Sequence, residues 1–345
     1  MARIVVATSH PPFAEGGHLV VARALVTALN EYGHQAGLIT TPQNRFGRQL
    51  SAYGATRLTD VGLTCDDRPV DQLISLRYPS YALRHRVHTP WLNHRMREYY
   101  DLWEQTIARL STTARLKEQM RRRLIHAVDG RLLARVTRLY AQSQTIQARL
   151  AHSGLASEVI YPPAPHRPYA CEGYGDCLFA VSRLTPHKRV DLLIRALAEP
   201  AACGVRCTIA GDGGELPNLR RLAAELGVDR RVEFLGRIDD AMLVRRLATC
   251  RAVCFTPYNE DYGLVTVEAF ASRKAVITCT DSGGPTELVE HGVQGLVSDP
   301  NPPALARAIR ALMEDRRRAE AMGDAAFRKG ATISWPSTVE RLVLV

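Results

Sequence analysis

Hydrophobic positions along this chain fall into two patterns, short continuous runs and longer stretches with a three-to-four-residue spacing. Continuous runs bounded by turn residues read as buried strands, and the longer spacing reads as one face of a helix. Ile4–Thr8 is the first run. Gly17–Tyr32 follows as a helix with Leu19, Ala22, Leu25, Val26 and Leu29 on one face; Gly33 stops it, and Ala36–Thr40 is the next strand. Asp71–Leu76 and Thr89–Asn93 read as two more strands. From Glu98 to Gln147 the pattern predicts mostly helix, broken only by Gly130. Its stripe of Leu116, Met120, Leu124, Val128, Leu132, Val136 and Leu139 is expected to be the inner face of a domain helix. Val159-Ile160 closes this half, and the proline-dense segment Tyr161–Pro168 is too stiff for core. Beyond it, Leu178–Val181, Cys207–Ala210, Val232–Leu235, Ala252–Phe255 and Val276–Cys279 read as strands, separated by helical stretches near 191–198, 217–226, 240–248 and 264–272. Strands alternating with helices predict an α/β chain of parallel, doubly wound sheets. The expected division is a domain over 1–165, a second over 166–330 and a terminal helix-like stretch over 331–345.

Composition adds a compartment and an asymmetry. No apolar run is long enough to span a bilayer, and Met1–Val6 enters a strand rather than a signal peptide, so the expected location is cytoplasmic. Eight cysteines in 345 residues do not make a disulfide scaffold. Cys203/Cys207 and Cys250/Cys254 have zinc-like gaps, but no Cys/His group completes either pair, and buried reduced thiols are expected. The formal net charge is +10. Residues 1–170 hold 22 lysines and arginines against 12 acids, whereas residues 171–345 hold 23 of each. Such an excess in one half points to an acidic partner of that half: an anionic acceptor, an acidic-lipid surface contacting Arg121, Arg122 and Arg123, or nucleic acid. Nucleic acid is disfavoured, because Tyr99, Tyr100 and Trp103 stand at the start of the basic stretch and are not interleaved with its arginines.

The stretch richest in chemistry runs from Glu260 to Gly284. Glu260 lies on the loop after a strand and Glu268 within the following helix, with seven residues between them, so both carboxylates can face one crevice at a strand's carboxyl end. The amides of Gly263, Leu264 and Val265 open that helix and form an anion site by geometry and dipole. Carboxylates accept from vicinal hydroxyls and helix-start amides from phosphate oxygens, a combination that suits a sugar nucleotide. A loop carboxylate and a solvated helix carboxylate are the plain alternative. Arg183 and Lys188, on the strand-to-helix turn Arg183-Leu184-Thr185-Pro186-His187-Lys188, can converge on a diphosphate, whereas the adjacent Arg189 reads as solvated surface charge. Gly211 begins a Gly-rich turn after a strand. Gly16 and Gly17 precede the first helix in the loop Ser9–Gly17, which is neither a dinucleotide fingerprint nor a Walker loop. His94 follows a strand-like run, where a chain enters a cleft.

The two glutamates, their flanking strands and the Gly283-Gly284 turn together resemble the retaining glycosyltransferases of the GT-B fold, family four, whose hallmark is Glu-x7-Glu. The resemblance implies two Rossmann-like domains facing each other across a cleft, with the run from Ser334-Trp335-Pro336 as a helix that crosses back to the first. It further implies that Glu260 contacts the donor sugar, Glu268 holds the ribose diol, and Arg183 and Lys188 bind the diphosphate. Gly16 and Gly17 would face the donor phosphates and the acceptor, His94 would approach the reacting carbon, and Gly211 and Arg237 would lie near the nucleotide. The donor is then a UDP- or GDP-linked sugar, with no other cofactor. No Asp-x-Asp occurs, so metal-independent transfer with retained configuration is the expectation. A non-catalytic sugar-nucleotide-binding protein and a basic nucleic-acid-binding protein are the alternatives.

Overall fold

The structure, a computed structural model, describes residues 1–10, 16–43, 47–108 and 110–345. Residues 11–15 of the loop before the first helix lie outside the described residues. In chain order the first elements are β1 (Arg3–His10), α1 (Gly17–Glu31), β2 (Gln35–Pro42), α2 (Gln49–Leu58), β3 (Gln72–Arg77) and β4 (His88–His94). They are followed by α3 (Trp103–Ile107), α4 (Thr112–Leu133), β5 (Tyr140–Ala141), α5 (Gln144–Ala151) and β6 (Glu158–Val159). Next come β7 (Cys177–Val181), α6 (Val190–Ala198), β8 (Arg206–Ala210), α7 (Leu216–Glu225), β9 (Val232–Gly236), α8 (Asp240–Thr249) and β10 (Ala252–Cys254). The chain closes with α9 (Leu264–Ala271), β11 (Val276–Cys279), α10 (Gly284–Leu288), β12 (Gly295–Ser298), α11 (Pro302–Glu314), α12 (Arg316–Ala331) and α13 (Trp335–Leu342). Contacts divide it into two units, Met1–Pro162 with Trp335–Val345, and Pro163–Ser334.

The first unit has a six-stranded parallel sheet in the order β2-β1-β3-β4-β5-β6. Residues 335–345 belong to this unit: the Gln72 side chain donates to the Leu342 carbonyl at 2.7 Å and accepts from the Leu344 amide at 2.9 Å. Three features depart from the pattern-based expectation. α2 was not foreseen. The predicted helix over 98–147 is interrupted by β5, because Tyr140 and Ala141 pair with Trp91 and Leu92 on one side and with Glu158 and Val159 on the other. Gly130, conversely, lies inside α4 and does not break it.

α4 is turned away from the stripe that predicted its inner face. Leu116, Met120 and Leu124 are 63%, 66% and 46% exposed, while Glu118, Ile125, Asp129 and Leu133 are buried. Polar groups can be the inner face here because each carboxylate is met by hydroxyls. Asp129 accepts from Tyr81 and Tyr100, both at 2.7 Å, and from Tyr53; Glu118 accepts from Tyr99 at 2.7 Å and pairs with Arg121. Burial pushes the Asp129 carboxyl upward, and the three hydroxyls oppose that shift. Arg122 donates to the Tyr99 carbonyl at 3.0 Å and its guanidinium lies 4.8 Å from the Trp103 ring centre. Arg121 and Arg122 are thus part of the packing, and of the three arginines expected on the surface Arg123 alone is exposed.

The second unit has a six-stranded parallel sheet in the order β12-β11-β10-β7-β8-β9. β12 extends the five strands read from the sequence. Starting from β7 the chain builds outward through β8 and β9, then returns to the other side of β7 for β10, β11 and β12. Its core is a continuous apolar cluster with Leu178, Ile209, Ile277, Leu305 and Ile309 at its centre. All eight cysteines are free; Cys207, Cys250 and Cys254 are buried as expected, whereas Cys203 is exposed.

Candidate functional site

Reversal of strand order between β7 and β10 places the loops that leave these two adjacent strands side by side. A crevice outside the carboxyl ends of such strands is where open α/β sheets hold ligands. Lys188 and Arg183 leave β7; Glu260 leaves β10. The Lys188 ammonium is ion-paired with the Glu260 carboxylate and stands 5.4 Å from the Phe255 ring centre. Arg183 is exposed on the same turn. The structure therefore pairs the two groups that sequence reasoning assigned separately to phosphate and to sugar.

Arg189 is not a solvated surface charge. At φ 48° it opens α6, and its guanidinium holds Asp281 with two bonds of 2.7 and 2.6 Å. It also donates to the carbonyls of Thr256 at 2.9 Å and Pro257 at 2.8 Å. One side chain thereby fixes the β7 turn, the β10 loop and the Asp281–Gly284 turn to one another. Sequence gives no periodic or motif signal for this role, since its acceptors lie 67 to 92 residues away.

Two glycines explain how closely these loops approach. Gly211 has φ 128°, and a Cβ there would lie 1.8 Å from the Ser182 carbonyl oxygen, so the loop after β8 presses directly on the β7 turn. Gly283 has φ 73°, and its Cβ would lie 2.5 Å from the Glu260 carbonyl oxygen. The same contact is bonded from both sides: the Glu260 amide donates to Ser282 at 2.8 Å, and the Gly284 amide donates to Glu260 at 3.0 Å. Gly211 also donates to the Gly236 carbonyl at 2.7 Å, which brings the exposed Arg237 to the same edge of the sheet.

α9 begins after Gly263 in a left-handed conformation. Leu264 and Val265 form its first turn, where backbone amides lack intrahelical acceptors and the helix dipole favours an anion. One turn on, Glu268 is buried, 4% exposed, not solvated. Its Oε1 pairs with Arg167 and accepts from the Tyr169 hydroxyl at 3.2 Å, and Arg167 also donates to Asp240 at 2.8 Å. No described residue donates to Oε2. Burial pushes the Glu268 carboxyl up to about 7 even though Arg167 and Tyr169 oppose the shift. Arg167 and Tyr169 escaped the sequence reading because they sit in or beside the proline-dense segment, which looked like a spacer.

The remaining predicted residues are in the first unit. Gly16 caps α1 in an extended conformation and Gly17 is its first residue, both beyond the carboxyl end of β1. His94 ends β4, with its Nδ1 bonded to the Arg95 carbonyl. Among the described residues no group of three or more His, Cys, Asp or Glu side chains is arranged to hold a metal ion.

Comparisons with known proteins give these loops a context. Residues 174–329 match the family model for glycosyl transferases group 1. The D-inositol 3-phosphate glycosyltransferase of Nocardia farcinica is 36% identical over 173 residues, which is 47% of this chain and 38% of that protein. The chain thus covers less than half the length of the curated relatives it matches. Two solved structures share its fold over nearly the whole chain. Anabaena Alr3699/HepE, in complex with UDP and glucose, has a TM-score of 0.73 at 21% identity, covering 99% of this chain and 98% of that one. Sucrose-phosphate synthase from Thermosynechococcus elongatus has a TM-score of 0.74 at 16% identity, covering 99% and 97%.

Proposed function

We propose that the chain, whose residues 174–329 match the group 1 glycosyl transferases and which has the GT-B fold, transfers a sugar from a nucleoside-diphosphate sugar. The observation that carries this reading is the charge arrangement at the β7–β10 reversal. Lys188 is paired with Glu260, and Glu268 is held by Arg167 with one carboxylate oxygen left open. A diphosphate competes with Glu260 for Lys188. When it takes the ammonium, Glu260 is released toward the sugar hydroxyls, and Glu268 Oε2 accepts from the ribose diol. Arg183, Lys188 and the first-turn amides of α9 then stabilise the departing diphosphate, with no divalent metal in the step. The bond from the anomeric carbon to the phosphate oxygen breaks and the acceptor oxygen bonds on the same face. The acceptor's proton passes to the leaving phosphate. His94 and the Gly16–Gly17 amides keep the roles that the resemblance implies. UDP is the favoured nucleotide, because the structural neighbour from Anabaena is in complex with UDP and glucose.

The acceptor is proposed to be acidic or held at an acidic membrane, with the enzyme peripheral to it. No helix among the described residues is long and apolar enough to cross a bilayer. The outward stripe Leu116, Met120 and Leu124, flanked by exposed Arg115, Lys117 and Arg123, has the composition of a helix lying on an anionic surface.

Thermal melting of the full chain with a panel of nucleotide sugars tests the donor assignment, because a bound donor raises apparent stability by mass action. Stabilisation by one nucleoside-diphosphate sugar, with its slow consumption when an acceptor extract is added, is expected in excess chelator. Stabilisation without turnover for any acceptor would instead favour a sugar-nucleotide-binding protein.

A further inference from the structure

The first unit contains a large cavity of about 1090 Å³ at the end of its sheet opposite His94 and Gly16. Its walls come from the segments that lead into β3 and β4, the last turn of α2, and the residues just past α4. Substrates of open α/β sheets bind at carboxyl ends, whereas this cavity lies at the amino ends.

Four guanidiniums line it: Arg57 from α2, Arg84 and Arg86 before β4, and Arg135 after α4. They come from three separate stretches of sequence, so their meeting is a product of the fold and not the solvated face of one basic run. Among the described residues none of the four has a carboxylate partner. Elsewhere in the same unit arginines are matched: Arg97 and Arg149 with Asp101, and Arg121 with Glu118. Asp71, the one acidic side chain among the lining residues, accepts from the Arg3 amide at 2.7 Å. Arg57 donates to the Ala82 carbonyl at 3.3 Å. Burial and the nearby Arg84 and Arg135 push its guanidinium pKa down, as expected where like charges crowd without a counterion.

We infer that this cavity is an anion-binding site for a phosphate-bearing ligand, separate from the proposed transfer site. Guanidiniums bind phosphate oxygens in pairs, and several converging on one cavity select a multiply charged group over chloride. The volume exceeds that of a bare phosphate. Leu132 and Val136 in the wall offer apolar surface to an organic portion. The shared chemistry is a phosphate ester or pyrophosphate, free or as a lipid headgroup. The site accounts for part of the charge excess of residues 1–170 that neither the fold nor a donor diphosphate uses.

The test is thermal melting of the full chain with sodium pyrophosphate at constant ionic strength, on wild type, Arg84→Gln/Arg86→Gln, Arg135→Gln and Lys188→Ala. Pyrophosphate should raise the Tm of wild type and of Lys188→Ala by about 2 °C or more. Both cavity variants should lose that rise. Without pyrophosphate they should melt no lower than wild type, because repulsion is relieved. Equal shifts in wild type and both cavity variants, no shift in wild type, or loss of the shift in Lys188→Ala alone would each overturn the assignment. Co-sedimentation with phosphatidylcholine vesicles carrying phosphatidic acid separates the sources. Sedimentation lost in Arg84→Gln/Arg86→Gln identifies a headgroup, and a pyrophosphate shift without that loss identifies a soluble ligand.

Discussion

The two units spend their charge differently. At the carboxyl edge of the second sheet, Lys188 is matched by Glu260, Arg189 by Asp281, and Arg167 by Glu268 and Asp240. In the first unit, Arg57, Arg84, Arg86 and Arg135 converge unmatched, and an apolar stripe of α4 faces outward beside further basic residues. A balanced site has its binding groups occupied by one another, so a ligand must exchange partners with them. An unbalanced surface waits for an external anion. The same contrast appears in the backbone: Gly211 and Gly283 have no room for a side chain, whereas Gly130 in α4 has nothing within 4 Å of where its Cβ would be.

Gly211→Ala should do the most damage. The added carbon would meet the Ser182 oxygen at 1.8 Å in a backbone conformation unfavourable for alanine. A loss of ~4 kcal/mol or more is expected, read by chemical denaturation. Tolerance of this change would mean that the loops of the second unit are not as tightly fixed as described.

Glu268 supplies a pH test of the balanced site. With its carboxyl raised to about 7, the form that accepts the ribose diol is populated above that pH and lost below it. Affinity for a nucleoside-diphosphate sugar, whose bridging diphosphate does not titrate in this range, should be about tenfold weaker at pH 6 than at pH 8. Glu268→Gln should remove the step. Stability has its own slope: a carboxyl raised above its unfolded value costs nothing below about 4.5, and its cost grows until pH exceeds about 7. Wild type should therefore lose stability across that window relative to Glu268→Gln, as urea titrations at several pH values would show.

Gly130→Ala sharpens the contrast from the other side. Mid-helix and unobstructed, it should stabilise the protein by about 0.5–1 kcal/mol. Smaller still is the expected effect of Leu116→Ser/Met120→Ser on folding, within ~0.5 kcal/mol, because both side chains are already exposed. The same variant should lose binding to phosphatidylglycerol vesicles, and Lys117→Glu/Arg123→Glu should weaken it by about 1 kcal/mol per residue. Unchanged vesicle binding in both would remove the membrane from the proposal.

Much of the second unit was legible because its determinants are local. A strand, a Gly-rich turn and a helix start are adjacent in sequence, and Glu260 and Glu268 lie on one such segment. What stayed hidden depends on distant partners. Arg189 looked like surface charge until Asp281 met it, and Arg167 looked like part of a spacer until Glu268 did. In the first unit, α4 misled for a similar reason. Hydrophobic spacing identified a helix but not which face is inward, since that was decided by tyrosines 53, 81, 99 and 100 reaching Asp129 and Glu118. Buried carboxylates with hydroxyl partners from other elements leave no periodic trace.

The most direct measurement of the partner exchange is UDP affinity by isothermal titration calorimetry on wild type, Glu260→Gln and Lys188→Ala, alongside turnover of the donor. If the diphosphate must take Lys188 from Glu260, then Glu260→Gln should bind UDP several-fold more tightly than wild type yet transfer sugar more slowly, while Lys188→Ala should lose both binding and transfer. UDP binding to Glu260→Gln that is no tighter than to wild type, together with full affinity in Lys188→Ala, would contradict a donor site built on that ion pair.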